Sequence, residues 1–143
     1  MSYEEKGTWL YLVVAIAGYS FYLSWVLPEV LAGTPVADVD YVAPMLWTIG
    51  GAIVVTIIGR ILVEIVFPSE STKGDVRDRE IDRLGTRVGS SFIVIGALGA
   101  LVLAMLEAEW FWIANVIYLC FVLSALLESI TRLVAYRRGV PTW

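Results

Sequence analysis

Two short polar ladders interrupt an otherwise apolar sequence. One runs Thr56, Arg60, Glu64 and the other Ser124, Glu128, Arg132. Residues four apart stack on one face of a helix, and the second ladder carries the signs of the first in reverse. Facing each other on parallel helices, they would pair Arg60 with Glu128 and Glu64 with Arg132. An isolated charge near a bilayer centre costs roughly 2.5–3.5 kcal/mol on insertion scales, so pairing is expected. The same cluster would also suit an ion or substrate path. All four charges lie within a few turns of one helix end, where long side chains snorkel to the headgroups. Structural pairing or snorkelling therefore ranks above a path.

Other chemistry is sparse. The sequence has no histidine, which removes haem b ligation, His-based metal sites and His acid–base catalysis. No Gly-rich phosphate loop, HExxH or GxSxG occurs, and no carboxylates pair deep in an apolar segment. The single cysteine, Cys120, reads as a small hydrophobe. With no nucleophile–base set, the chain is expected not to be an enzyme, and no cofactor or metal is expected.

The densest polar stretch is GDVRDREIDRLGTRVG, from Gly74 to Gly89. Its acids could attract Mg²⁺, but each lies beside an arginine or one residue from it, and mutual neutralisation accounts for them better. Asp75 fits an N-cap. Ile81, Leu84 and Val88 recur at helical spacing. Asp75–Arg79 and Glu80–Arg83 are spaced as helical ion pairs, each stabilising by about 0.2–0.5 kcal/mol. The run is thus expected to extend a helix into water. Asp75, Arg77, Asp78, Ile81, Gly85 and Gly89 are its candidate interaction residues. Gly85 and Gly89 lie four apart, as do Gly96 and Ala100, a spacing that lets helices approach closely. Two readings are open: packing within one bundle, which ranks first, and a homodimer seam.

These residues need elements to hold them. Of 143 residues 59% are hydrophobic, against roughly 45–50% in soluble domains. Gly7–Pro28, Tyr41–Gly59, Val88–Leu106 and Trp110–Leu127 carry no charge at all. Each approaches the roughly 20 residues that cross a bilayer as a helix. Open strands are excluded, because backbone groups in lipid must be bonded within a helix or a closed barrel. The expected fold is an all-α, integral membrane four-helix bundle in one domain, with helices near 8–31, 42–67, 76–106 and 110–136. The first helix lacks a small-residue cleavage site and is too long for a signal peptide, so it reads as retained.

Loop cations fix the expected orientation. Lys6, the run from Lys73 to Arg87, and Arg132, Arg137 and Arg138 share one side; the other two connections carry only acids, among them Glu29, Asp38, Asp40, Glu107 and Glu109. Cations favour the cytoplasmic side. Both termini and the charged run are therefore expected in the cytoplasm, in a multi-pass protein of the plasma (inner) membrane. Trp110, Phe111 and Trp112 on one side, and Trp9, Phe67, Tyr136 and Trp143 on the other, read as interfacial belts. Asn115 reads as an interhelical hydrogen-bond partner.

The pattern Asp75-x-Arg77-Asp78-x-x-Ile81-x-x-x-Gly85, with "LAMLE" (Leu103–Glu107), "FWIANVIYLCFVL" (Phe111–Leu123) and "YRRG" (Tyr136–Gly139), resembles a group of small bacterial four-helix membrane proteins. They are frequent in actinobacteria and carry a D-x-R-D-x-x-I-x-x-x-G loop. The resemblance spans helices two to four well and helix one weakly. It brings no reaction, cofactor or catalytic residue. Their genes often neighbour small helix-turn-helix regulators, which implies sensing or signalling.

Three classes of function remain. A regulatory or interaction module, displaying the charged helix to a cytoplasmic protein partner, leads. A small dimeric transporter or channel using the Arg60/Glu64/Glu128/Arg132 cluster is the alternative, and a membrane enzyme comes last. The lipid bilayer is an expected partner; nucleic acid is not expected to bind directly. The orientation is testable. In a Cys120→Ser background, single cysteines at Thr72 and at Asp38 should label from opposite faces of the membrane. Labelling of both from one face would refute the topology.

Overall fold

The structure, a computed structural model, describes residues 2–68 and 76–140. Four long helices make up nearly all of it: α1 Tyr3–Leu31, α2 Val42–Val66, α3 Val76–Met105 and α4 Trp110–Arg138, with a short 3₁₀ turn at Val36–Asp38 before α2. Each helix is long and apolar enough to cross a membrane, with mean hydropathy of 1.8 to 2.2 over its apolar stretch. The chain is an all-α, multi-pass membrane protein.

The helix ends follow from local chemistry. α1 starts earlier than the expected position near Thr8. Ser2 accepts a hydrogen bond from the Glu5 N–H at 3.2 Å, and Ser2-x-x-Glu5 has the spacing of a capping box. Glu4 and Glu5 in the first turn suit the positive end of the helix dipole. At the other end, the Thr34 N–H reaches the Glu29 carbonyl at 3.3 Å and the Gly33 N–H reaches Val30 at 3.2 Å. Gly33 sits at φ +84° to allow it, the left-handed residue of a Schellman closure. α3 closes in the same way without glycine. Ala108 bonds to Leu103 at 3.0 Å and Glu107 to Ala104 at 3.1 Å, with Glu107 itself at φ 53°.

The helices pack in the order α2, α1, α4, α3: α1 touches α2 and α4, and α4 touches α1 and α3. α3 and α4 share the most extensive seam. Ile81, Gly85, Gly89, Gly96 and Ala100 form its buried face on α3. A Cβ at Gly89 would lie 2.9 Å from the Glu128 Cβ and 3.0 Å from the Ser124 carbonyl, so only glycine lets the two backbones come this close. Gly85 meets Glu128 and Arg132 in the same way, and Gly96 meets Cys120. This face is filled by α4 of the same chain. That is the expected packing within one bundle.

The α1–α4 seam is aromatic. Tyr22, fully buried, lies 5.0 Å from Tyr118 ring to ring, and Tyr19 lies 5.3 Å from Tyr118. Buried tyrosine hydroxyls need partners. Tyr22 donates to the Asn115 side-chain oxygen, and Tyr118 shares a 3.0 Å hydrogen bond with Thr48 of α2. Asn115 thus joins α4 to α1, as expected. Phe111 departs from its expected place in an interfacial belt: it is buried and packs edge-on against Tyr41 at 5.4 Å. Trp110 beside it is exposed.

α2 is the least embedded element. Over its apolar stretch no residue is buried. It rests on α1 where Leu10 fills the space a side chain at Gly59 would take. Between Ile53 and Val66 its exposed residues are mostly aliphatic, a surface suited to lipid.

The glycine seam gives a stability prediction. Gly89→Leu should overpack the α3–α4 contact and destabilise by about 1–3 kcal/mol, read as a lower thermal midpoint in mild detergent. Ser90→Leu, one position round on the exposed surface, should change it little. Equal midpoints for both variants would show that the seam is looser than drawn.

Candidate functional site: the basic rim

The start of α1, the end of α2, the start of α3 and the end of α4 gather at one end of the molecule. Every described Lys and Arg lies toward this end, whereas Glu29, Asp38, Asp40, Glu107 and Glu109 lie at the other. The polar side chains of the rim form three ties.

The first tie joins α1 and α2. Arg60 meets Glu4 at 3.5 Å, its guanidinium lies over Gly7, and Tyr3 is 5.8 Å away. Lys6 sits 3.6 Å above the ring of Phe67, the residue just after α2, in a cation–π contact. The second tie joins α3 and α4. Arg132 bonds Asp82 at 2.7 Å and also Glu128, one turn back on α4. Thr86 completes it, 3.3 Å from both Arg132 and Glu128. The third lies further out. The Tyr136 hydroxyl donates to Asp78 at 3.1 Å, and Arg77 donates to the Tyr136 carbonyl at 2.9 Å.

This arrangement corrects the expected charge ladder. Arg60 does not meet Glu128, and Glu64 does not meet Arg132. α2 is joined to α4 at Thr48, far from the rim, while at the rim its neighbour is α1. Glu4, earlier in the chain than the expected start of α1, takes Arg60. Among the described residues Glu64 is exposed and has no ionic partner. Glu128 and Arg132 pair with each other along α4, an i,i+4 contact that their spacing allows.

The interaction residues expected from the charged run divide. Ile81 is fully buried, and Gly85 and Gly89 face α4, so these three hold the helix rather than meet a partner. Arg77 and Asp78 are tied to Tyr136. Asp75 lies outside the described residues, and its N-cap and ion-pair roles with it. The expected Glu80–Arg83 ion pair is not formed. Arg79, Glu80, Arg83 and Arg87 are exposed, and among the described residues none of their side chains has an ionic partner. Sequence reasoning missed Glu4, Asp82, Thr86 and the bonding role of Tyr136. For Glu4 the capping-box spacing of Ser2 and Glu5, which starts α1 ahead of it, was an available signal; for Tyr136, two residues before the end of α4, none was.

Between α1, α3 and α4 the rim encloses a cleft of about 350 Å³, with Thr8 and Tyr136 among its walls. Among the described residues no three His, Cys, Asp or Glu side chains gather closely enough to hold a metal ion.

The ties predict which charge reversals compensate. Arg60→Glu with Glu4→Arg should recover the stability lost by Arg60→Glu alone, a coupling of about 0.2–1 kcal/mol for so exposed a pair. Arg60→Glu with Glu128→Arg should give additive losses in the same double-mutant cycle. Rescue by Glu128→Arg would restore the original ladder and refute the pairing seen here.

Comparison with protein-family models, with curated proteins and with solved structures found no match, so the geometry of the rim carries the functional reading.

Proposed function

We propose that this protein is a non-catalytic regulatory or interaction module of the plasma (inner) membrane, with its basic rim in the cytoplasm. The first three turns of α3 are the surface it displays to a cytoplasmic protein partner. One observation carries this reading. Glu80 and Arg87 share the outward flank of a helix that is clamped from behind. Ile81 is buried beneath them, and Arg77 binds the α4 backbone. Charges on a rigid, supported element recognise a partner at lower entropic cost than charges on a mobile loop. Opposite signs on one flank also specify which partner surface is complementary. The resemblance to proteins whose genes neighbour small regulators adds a role in sensing or signalling.

The transporter alternative gains nothing from the rim. Its proposed cluster divides into an α1–α2 pair and an α3–α4 pair, both at the helix ends rather than near the midplane where transporters place their sites. The two readings separate experimentally. In-cell cross-linking from α3 should yield a discrete protein adduct that Glu80→Arg combined with Arg87→Glu removes, the thermal midpoint being unchanged. Ion or solute flux through proteoliposomes, abolished by Arg132→Gln, would overturn the proposal in favour of transport.

A further inference from the structure

The cleft lies between α1, α3 and α4, next to the α3 surface assigned to a protein partner. Its walls carry Glu4, Asp78 and Asp82 against Arg79, Arg83 and Arg132. Three carboxylates face three guanidiniums, so the lining is formally neutral. The internal ties do not use these groups equally. Arg132 is held by Asp82 and Glu128, and Glu4 holds Arg60. Arg79 and Arg83 lie on the same wall, one turn apart, with no ionic partner among the described residues. The carboxylates keep lone pairs to spare, since each can accept about four hydrogen bonds.

Position adds a second constraint. The charge-free stretch of α3 begins at Val88, and that of α4 ends at Leu127. The cleft residues of both helices lie about one and a half to three turns beyond those limits, on the headgroup side of the apolar stretches. A ligand here arrives most readily from the adjoining leaflet.

We propose that the cleft binds the headgroup of a zwitterionic phospholipid bearing a primary ammonium, of the phosphoethanolamine type. Arg79 and Arg83 take the phosphate, for which paired guanidinium forks are well shaped. The ammonium turns to the carboxylates of Glu4 and Asp78. A neutral lining of separated charges favours a ligand that carries both signs over a bare anion, which would gain from the arginines and lose to the acids. The same chemistry predicts selectivity. A choline head has no N–H to donate to the carboxylates, and a glycerol head has no cation.

Delipidated protein in mild detergent tests this by thermal midpoint with titrated lipid. Phosphatidylethanolamine should raise the midpoint more than phosphatidylcholine or phosphatidylglycerol. Arg79→Gln combined with Arg83→Gln should weaken the apparent affinity about tenfold or more, while Arg137→Gln combined with Arg138→Gln should preserve it. An equal shift with phosphatidylcholine, or a larger one with phosphatidylglycerol, would overturn the proposal. So would survival of the shift in the Arg79/Arg83 variant. Soluble phosphoethanolamine at matched concentration should act weakly; a shift as large as the lipid's would overturn the membrane as the source. Lipid adducts counted on the unmodified protein by native mass spectrometry give the same ranking of headgroups without any variant. Loss of the cross-linked protein partner leaves this ranking unchanged, so the two proposals fail separately.

Discussion

The contact on which most of this structure depends is the approach of α3 to α4 across Gly85, Gly89 and Gly96. Between apolar helices in lipid there is no hydrophobic drive to associate. What remains is packing and interhelical hydrogen bonding, and both are strong only at short range. Removing three side chains from one face of α3 brings the α4 backbone into contact. That closeness sets Arg132 beside Asp82 and Thr86, and it carries Tyr136 out to Asp78. The water-facing turns of α3 are therefore an extension of a membrane seam. Their polar ties register the two helices, and the glycines set the distance.

Electrostatics does little of the holding elsewhere. The Glu4–Arg60 pair is about half exposed on both sides, so solvent screens it and its contribution is small. Its value lies in placement: it marks α1 as the neighbour of α2. Arg132 is different, with a side chain only 21% exposed. Among the described residues its Nε is buried without a hydrogen-bond partner, beside Gly85. Removing one partner of so enclosed a charge costs more than breaking an exposed pair.

The sequence made the helices legible because lipid leaves so few alternatives. Four charge-free stretches of spanning length can hardly be anything but helices, and three of the four starts fell within a residue or two of their true positions. The small-residue face of α3 was legible as a face, and only the packing could show that α4 fills it. Neighbour relations were not legible. Arg60 and Glu128 have equal and opposite spacing, and nothing local says that α1 rather than α4 stands beside Arg60 at the rim. Phe111 misled because an aromatic flanked by two tryptophans at a helix start looks interfacial, yet it turns inward to Tyr41. Tyr136 was obscured in the same way, since a belt residue and a hydrogen-bond donor to Asp78 have the same letter in the chain.

The order of packing has a consequence for how the molecule is divided. α1 with α2, and α3 with α4, are each a hairpin of sequential helices with its own seam: Leu10 against Gly59 in one, glycines against Ser124 and Glu128 in the other. One aromatic and aliphatic core, with Tyr22, Val26 and Val39 on one side and Phe111, Tyr118 and Val122 on the other, binds the two hairpins together. The tyrosines sit at the centre of that core, as a clasp between two halves that each have a seam of their own. The chain is, in effect, two joined hairpins sharing one clasp.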